Sequence, residues 1–272
     1  MCLDRLRKAE STSGCTSESI LDRLETKALG RRLTLLDECT STNDVGRRLA
    51  ACSAIHGSLI LSATQTAGRG RHGRFWVSPR GGIWMTLILR SHFTLPVEAI
   101  SIIGALSTAR SIRRHLRIDS RVRWPNDVVV NRSKVAGLLV EGFQKGNLLE
   151  FILLGIGVNA NFESQELRNQ KIEAVTLMDL KKRPIDSSTL ICSILLDLEY
   201  LLALAESNPT QILHLLREND SSRGKKIKIV TSERMIEGIF GDYQSLNSVT
   251  VDLNGELIVV PIPSAIMVEY PS

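Results

Sequence analysis

The chain has 272 residues, of which 43% are hydrophobic and 23% charged, which is typical of a globular protein that buries a substantial core. The net charge of +5 favours anionic ligands but is too small to indicate a nucleic-acid-binding protein by itself. The five cysteines and five histidines lack metal-ligand spacing, so we expect neither a zinc site nor a disulfide framework. The pattern predicts no secretory signal and no membrane span, and we expect a cytoplasmic protein.

The first 30 residues are rich in serine, threonine and charged residues, with little apolar periodicity before Ile20. This composition predicts a flexible segment over 1–30 with one short helix at 19–28. A helix-turn-helix unit needs two or three packed helices, for which this segment is too short. We therefore expect no DNA-binding domain here.

The pattern over 31–223 predicts a mixed α+β domain, because apolar alternation and helical spacing follow one another along the chain. The predicted strands span 33–37, 57–66, 81–90, 121–130, 134–142 and 147–159, with a turn at 131–133 between the fourth and the fifth. The predicted helices begin near 41–43 and span 97–116, 187–205 and 210–216.

The sequence pattern changes after Arg223-Gly224. From there on, short segments of alternating apolar and polar residues are separated by turn signals. The Asn254-Gly255 pair is a strong hairpin signal. The sequence predicts a small all-β domain of about five strands over 224–272.

The segment AGRGRHGRFW, residues 67–76, places Gly68, Gly70 and Gly73 in a G-x-G-x-x-G frame. A dinucleotide-binding turn needs a helix directly after the frame and an acidic residue about 20 positions further on. Here Pro79 and further glycines follow, and the next acidic residue is Glu98. This segment is therefore not interpreted as a dinucleotide site.

A nucleic-acid-binding loop is the second interpretation of this segment, since it mixes three arginines with Phe75 and Trp76. Only 4% of the chain is aromatic, however, and the basic residues are confined to one loop. A solvated basic loop is the simplest interpretation, and motifs elsewhere in the chain decide between them.

Four further motifs occur in order: STN at 41–43, RWPNDVVV from Arg123, KVAGLLVEG from Lys134 and GIGVN at 155–159. Together with GRGRHGRFWVSP they resemble the biotin protein ligases, also called biotin–[acetyl-CoA-carboxylase] ligases. The resemblance covers about residues 33–270. It implies a mixed-sheet catalytic domain similar to class II aminoacyl-tRNA synthetases and lipoate ligases, followed by an SH3-like β barrel.

The resemblance also implies the reaction. Biotin and ATP, with Mg²⁺, form biotinyl-5′-AMP, and a lysine of a biotin carboxyl carrier domain, of acetyl-CoA carboxylase or a similar enzyme, then takes the biotin. The family includes monomers and homodimers.

The first step joins two anions, so positioning and positive charge must supply most of the catalysis. Arginine forks on a glycine-rich loop suit a lid over phosphate and carboxylate groups. By resemblance, the catalytic residues are Lys134, Arg69 and Arg71. The expected biotin-binding residues are Ser41, Thr42, Asn43, Gln65, Arg69, Gly70, Arg71, Lys134, Gly137, Gly155 and Gly157. The expected ATP-binding residues are Arg71, Arg74, Trp76, Arg123, Asn126, Asp127, Lys134 and Asn159, and no metal ligands are predicted.

Plainer roles stay open for some of these residues. Ser41 and Thr42 suit helix capping, Asp127 suits anchoring of a turn, and Trp84 suits either a pocket wall or the core. The chain departs from the family pattern at Arg123, where the family has lysine. A lipoate–protein ligase is the nearest rival function, although its R-R-x-x-G-G-G stretch is missing. A nucleic-acid-binding module and an inactive scaffold are two more distant rivals.

Overall fold

The computed structural model describes residues 11–12, 15–90, 94–168, 170 and 174–271. Its strands are β1 (Ser11–Thr12), β2 (Cys15–Thr16), β3 (Leu33–Cys39), β4 (Ser58–Gln65), β5 (Ile83–Leu89), β6 (Ser120–Arg123), β7 (Asp127–Val130), β8 (Ser133–Lys145), β9 (Leu148–Val158), β10 (Lys226–Val230), β11 (Met235–Ser245), β12 (Ser248–Leu253), β13 (Glu256–Pro261) and β14 (Met267–Glu269). Its helices are α1 (Ser17–Leu21), α2 (Thr42–Ala51), α3 (Val97–Leu116), α4 (Gln165–Arg168), α5 (Leu177–Lys181), α6 (Ser187–Ser207) and α7 (Pro209–Asn219).

The centre of the molecule is a seven-stranded mixed sheet in the order β3-β4-β5-β9-β8-β7-β6. β3 and β4 pair in parallel, and the other neighbours pair antiparallel. The predicted mixed sheet with helices is confirmed.

Both faces of this sheet are covered, which explains why β5 is apolar except at Thr86 and why β4 is apolar over Leu59–Leu61. Leu59 and Leu61 point into the large core, which includes residues of α3 and α6, whereas Ile60 points into a smaller core under α2. Since side chains alternate between the two faces, a strand covered on both faces is apolar on both.

The sequence pattern predicted one strand over 121–130. This prediction is wrong, because the stretch forms a hairpin. β6 and β7 pair antiparallel and are joined by a turn at Trp124, Pro125 and Asn126 that contains a cis peptide bond before Pro125. Because the chain reverses here, Asn126 and Asp127 lie at the end of the sheet instead of along it. This reversal brings them to the functional site.

The prediction of a flexible segment over 1–30 does not fit the residues from 16 to 30. Ile20, Leu24 and Leu29 are buried in the main core. The Glu199 carboxylate of α6 accepts hydrogen bonds from the backbone of Lys27, Ala28 and Leu29. The short helix also lies earlier than predicted, over Ser17–Leu21, while residues 1–10 and 13–14 lie outside the described residues.

The C-terminal strands form a five-stranded antiparallel sheet in the order β13-β12-β11-β10-β14, which agrees with the five predicted strands. This sheet is not separated from the rest by a gap in the packing. Phe240 packs against Trp124 with ring centroids 6.1 Å apart, and both belong to one continuous core. The C-terminal sheet is therefore in a position to form part of a site on the central sheet.

Among the described residues, α6 is the one helix long and apolar enough to span a membrane by length and composition. In this structure α6 is a core helix, since 67% of its most apolar 18-residue stretch is buried inside the protein. Cys39 and Cys192 are buried thiols, but Cys52 forms a disulfide. The cysteine spacing did not predict this single bond, although no disulfide framework was expected.

Candidate active site

A cavity of about 260 Å³ opens where α2 stops covering the sheet. Its floor consists of glycines that the sheet register places side by side: Gly137 of β8 pairs with Gly157 of β9, and Gly155 pairs with Thr86 of β5. A Cβ atom on Gly157 would lie 2.7 Å from Trp76 Nε1, and one on Gly155 would lie 2.6 Å from Asn43 Oδ1. These glycines keep room for side chains and ligand directly above the sheet.

A β-bulge turns Lys134 into this cavity. Val128 pairs with Ala136, but Val129 pairs with Lys134, so β8 carries one extra residue at this point. Residues three apart on a regular strand face opposite sides, whereas the bulge puts Lys134 and Gly137 on the same side. Lys134 therefore lies over the glycine floor because of the bulge in β8. Its distance from Gly137 in the sequence would place it on the opposite face of a regular strand.

Lys134 forms part of a cluster of three charges. Its Nζ lies 2.6 Å from Asp127 Oδ1, and the Arg123 guanidinium lies 3.0 Å from Asp127 Oδ2. Burial by itself would raise the pKa of Asp127, but the positive charges of Lys134 and Arg123 outweigh this effect and hold its pKa below the ordinary value. Asp127 thus stays ionised and neutralises cations that are predicted to meet the ligand.

The glycine-rich loop folds as a small hairpin beside this cluster. Arg69 pairs with Phe75 in an antiparallel bridge, and the Trp76 N–H donates to Gly68 O at 2.9 Å. A Cβ atom on Gly68 would come within 2.4 Å of Trp76 O, which explains the need for glycine at that position. The loop is therefore held closed on itself by its own backbone.

Two arginines of this loop are held by different partners. The Arg69 guanidinium donates to both carboxylate oxygens of Asp44, at 2.6 and 2.8 Å, and these hydrogen bonds lower the pKa of Asp44. Arg71 donates to the carbonyl oxygens of Ile262 and Ala265 in the connection between β13 and β14, and burial lowers its pKa. Arg69 is thus paired with a carboxylate, whereas Arg71 is bound to neutral acceptors.

Neutral polar groups line the opposite end of the cavity. Gln65 Oε1 accepts from the Thr42 N–H at 2.8 Å, and Gln65 Nε2 donates to Ser78 Oγ at 2.8 Å. The Thr86 hydroxyl lies 2.7 Å from Thr42 Oγ1 and 2.6 Å from Asn43 Oδ1. These contacts fix the side chains before any ligand binds.

The two expected capping residues at the start of α2 behave differently from simple caps. Ser41 occupies the N-cap position, but its side chain makes no capping hydrogen bond, although it is buried and lines the cavity. Thr42, the first residue of the helix, uses its hydroxyl on Gln65 Oε1 at 3.1 Å. Ser41 therefore presents its hydroxyl toward the cavity, while Thr42 is tied to the protein.

Trp76 lies inside the site, over the glycine floor. The Lys134 ammonium is 4.8 Å from the centroid of its ring. Its indole Nε1 is buried and has no hydrogen-bond partner within the part of the chain that the structure describes. Buried donors are nearly always paired in native proteins, so this N–H is a candidate ligand contact.

The two asparagines expected at the nucleotide side are both used by the protein. Asn126 Nδ2 donates to Leu138 O at 2.7 Å, which ties the Trp124–Asn126 turn to β8. Asn159 Nδ2 donates to Val175 O at 3.3 Å. Contacts of Asn126 and Asn159 to a nucleotide stay predictions. They would use the side-chain atoms that these two hydrogen bonds leave available.

The structure brings every predicted site residue to this one cavity. Its lining includes Ser41, Thr42, Asn43, Gln65, Arg69, Gly70, Arg71, Arg74, Trp76, Arg123, Asn126, Asp127, Lys134, Gly137, Gly155, Gly157 and Asn159. Trp84 is not among the lining residues; it is fully buried and donates to Pro79 O, so of its two open roles the structure supports the core.

Three residues that were not predicted from the sequence also shape the site. Thr86 and Glu141 hold the neutral end, where both bond to Asn43, and Tyr270 from the end of the chain lines the cavity. Thr86 was detectable as the polar residue in the otherwise apolar run IWMTLIL, since a buried hydroxyl must find a partner. Tyr270 carried no local signal, because its place depends on how the C-terminal sheet packs.

The cavity offers little to a resident metal ion. Among the described residues that line it, Asp127 is the one carboxylate, and no cluster of three or more histidine, cysteine or acidic side chains occurs in the described part of the chain. Mg²⁺ is commonly bound by one or two carboxylates together with substrate phosphates. The site therefore fits a magnesium ion that arrives with a polyphosphate.

The cavity thus combines a glycine floor, a cationic end and a neutral polar end on a mixed sheet. Residues 38–159 match the biotin/lipoate A/B protein ligase family. The match covers somewhat less than half of the chain.

Particular relatives carry more specific names. The chain is 34% identical over 179 residues to the "Bifunctional ligase/repressor BirA" of Bacillus spizizenii, covering 65% of this chain and 55% of that protein. It is 28% identical over 240 residues to the "Biotin--[acetyl-CoA-carboxylase] ligase" of Mycobacterium tuberculosis, covering 85% and 86% of the two chains. The chain thus spans about half the length of the first of these relatives and most of the second.

The fold agrees with a solved structure of the same class. The biotin protein ligase from Aquifex aeolicus in complex with biotin and ATP superposes with a TM-score of 0.76 at 22% identity, over 89% of this chain and 100% of that one. At this level of identity the agreement concerns the fold.

Proposed function

We propose that the protein is a biotin–[acetyl-CoA-carboxylase] ligase, which activates biotin with ATP and transfers it to a lysine of a biotin carboxyl carrier domain. The observation that carries the proposal is the cavity itself, in which Lys134 and Arg123 lie over a glycine floor opposite a neutral hydrogen-bonding end. The cytoplasmic location and the monomeric or dimeric state of the protein stay predictions.

The neutral end suits the ureido head of biotin. A ureido group has donors and acceptors but no charge, so it favours hydroxyl and amide partners over ionic ones. The Ser41 hydroxyl and the Gln65 amide meet this need, and Thr42 holds the amide in place. The apolar dithiolane ring of lipoate has no use for such a set of partners, which favours biotin over lipoate.

The cationic end suits the first chemical step. One oxygen of the biotin carboxylate attacks the α-phosphorus of ATP, the bond to the β-phosphate oxygen breaks, and pyrophosphate leaves. Lys134 holds the carboxylate and the α-phosphate near each other by neutralising both. Arg69, Arg71 and Arg74 cover the adenylate when the loop closes, which shields the mixed anhydride from water.

The second step uses the same floor. The neutral amine of the carrier lysine attacks the acyl carbon, AMP leaves with the electron pair of the broken acyl–oxygen bond, and the amine proton is lost. Magnesium enters with ATP as part of the substrate, and Asp127 is the carboxylate placed to meet it.

The decisive experiment incubates the full chain with MgATP and biotin and measures biotinyl-AMP, then adds a biotin carboxyl carrier domain and measures biotin transfer. We expect adenylate with biotin and none with lipoate. Adenylate with lipoate alone would overturn the proposal in favour of a lipoate–protein ligase. Absence of both adenylates, together with salt-dependent DNA binding, would favour a nucleic-acid-binding module.

A further inference from the structure

The turn at Trp124–Asn126 supplies three residues of the cavity wall. Asn126 is bonded to β8 of the central sheet, but the backbone of Trp124 is held from outside that sheet. The Trp124 N–H donates to Ser222 Oγ at 3.2 Å, and the Trp124 carbonyl accepts a hydrogen bond from the Tyr270 hydroxyl at 2.8 Å. Ser222 follows α7, and Tyr270 follows β14. Both main-chain groups of Trp124 are therefore fixed by residues near the C-terminal sheet.

Tyr270 makes a second contact at the same end of the site. The Arg123 guanidinium lies 5.7 Å from the centroid of the tyrosine ring, within the range of a cation–π interaction. Burial raises the pKa of the Tyr270 phenol well above its ordinary value, so the hydroxyl keeps its proton and acts as a donor. One side chain thus touches both the turn and the arginine that replaces the family lysine.

Tyr270 also belongs to the cavity wall, together with Ile266 and Val268 of the same segment. The Arg123 guanidinium bonds to Asp127 at 3.0 Å and to the carbonyl oxygen of Arg132 at 3.2 Å, and it also lies against this ring. A planar guanidinium can stack on an aromatic face while its N–H groups bond to oxygen acceptors. The ring thus adds an aromatic contact to the two polar ones.

We propose that Tyr270 is a positioning residue for the nucleotide end of the site. Its hydroxyl sets the Trp124–Asn126 turn, and its ring sets the Arg123 guanidinium, so that both meet the phosphates of ATP. The inference deepens the proposed function and rests on it for the identity of the nucleotide. It assigns an active-site role to the residue that directly follows the last strand of the C-terminal sheet.

Tyr243 provides a matched control at the same junction. Its hydroxyl donates to Asp220 Oδ1 at 2.8 Å, and the residue is buried. Tyr243 does not line the cavity and makes no contact with Arg123 among the contacts of the described residues. Loss of its hydroxyl therefore weakens the junction but leaves both contacts of Tyr270, to the Trp124 carbonyl and to Arg123, in place.

The experiment compares the full-length wild type with Tyr270→Phe, Tyr270→Ala and Tyr243→Phe. We measure KM for ATP and for biotin by biotin-dependent ATP–pyrophosphate exchange, Kd for ATP by calorimetry, and the melting temperature. For Tyr270→Phe we expect KM and Kd for ATP to rise about fivefold, as for the loss of one ordinary hydrogen bond. For Tyr270→Ala we expect about twentyfold, because the cation–π contact is lost as well.

The biotin constants should stay within about twofold of wild type in both Tyr270 variants, since other residues build the neutral end. Tyr243→Phe should lower the melting temperature and leave both ATP constants unchanged. Unchanged ATP constants in both Tyr270 variants would overturn the inference, and so would an equal rise in Tyr243→Phe. If the wild type binds ATP but forms no biotinyl-AMP, the proposed function fails, while the Kd values for ATP still decide the role of Tyr270.

Discussion

The two ends of the cavity hold their polar groups in different ways. At the neutral end, Thr42, Gln65 and Thr86 bond to one another and to the helix start, so the donors and acceptors already point in fixed directions. At the cationic end, Lys134 and Arg69 are each paired with a carboxylate of the protein itself. The polar groups of the neutral end are thus held in place already, whereas under the proposed function the cationic end exchanges its own carboxylates for ligand anions.

This difference has a physical reason. Neutral donors and acceptors can satisfy one another and still keep a second lone pair or proton for a ligand. A buried cation without a partner is costly, so a site that awaits an anion needs a temporary substitute. We infer that Asp44 and Asp127 act as such substitutes until biotin and ATP arrive.

The largest expected effect comes from removing the central cation. Lys134→Ala should lower kcat/KM for biotinyl-AMP formation about thousandfold, because a charge that meets the developing negative charge is lost. Steady-state kinetics and thermal unfolding measure activity and folding separately. Lys145→Ala, at the exposed end of the same strand, serves as the control and should behave as wild type. A Lys134→Ala enzyme with normal kinetics would remove Lys134 from the mechanism.

A weaker effect is expected at the neutral end. Thr86→Val keeps the shape of the side chain but removes the hydroxyl that lies against Thr42 and Asn43, so KM for biotin should rise about tenfold. KM for ATP should not change. Thr108→Val removes another buried threonine hydroxyl, one that bonds Gly104 O inside α3, and controls for general destabilisation. An equal change in both Michaelis constants would contradict the separation of the two ends.

A smaller effect, of opposite sign, is expected from Asp44→Asn. Arg69 and Asp44 are both about one-third exposed, so their ion pair is worth little, and its loss frees Arg69 for the ligand. We expect KM for biotin to fall about threefold in steady-state assays. Asp37→Asn breaks the exposed pair with Arg80 and should have no effect. A rise in KM for biotin in Asp44→Asn would show that Asp44 positions Arg69 instead of competing for it.

The smallest expected effect is on the pH dependence of stability, which should differ between wild type and Asp127→Asn. The folded pKa of Asp127 lies below the ordinary 3.8 because the charges of Lys134 and Arg123 outweigh the effect of burial. Its ionised form therefore stabilises the fold above that ordinary value, and this contribution is lost as the pH falls through the folded pKa. Urea unfolding at pH 5 and at pH 3 should show a smaller loss of stability for Asp127→Asn than for wild type. Equal losses would mean that Asp127 does not contribute to the acid sensitivity.

Much of the fold and the site could be predicted from local sequence. Helical spacing marked α3, and the apolar run around Trp84 marked β5, although the hairpin at Trp124–Asn126 was predicted as one strand. Pro125 and Asn126 are themselves turn-forming residues, and the prediction of one strand gave more weight to the valines on either side of them. The packed segment after residue 15 was also missed, since its few apolar residues are buried by a core that distant parts of the chain build.

The sequence by itself indicated most of the residues that line the cavity, because its motifs resemble those of the biotin protein ligases. Only the tertiary structure decided how they meet. The register placed Gly137 beside Gly157, the bulge turned Lys134 to their side, and packing of the C-terminal sheet brought Tyr270 to the Trp124 carbonyl. These contacts join residues far apart in the chain, and they depend on long-range pairing and burial that no local pattern encodes.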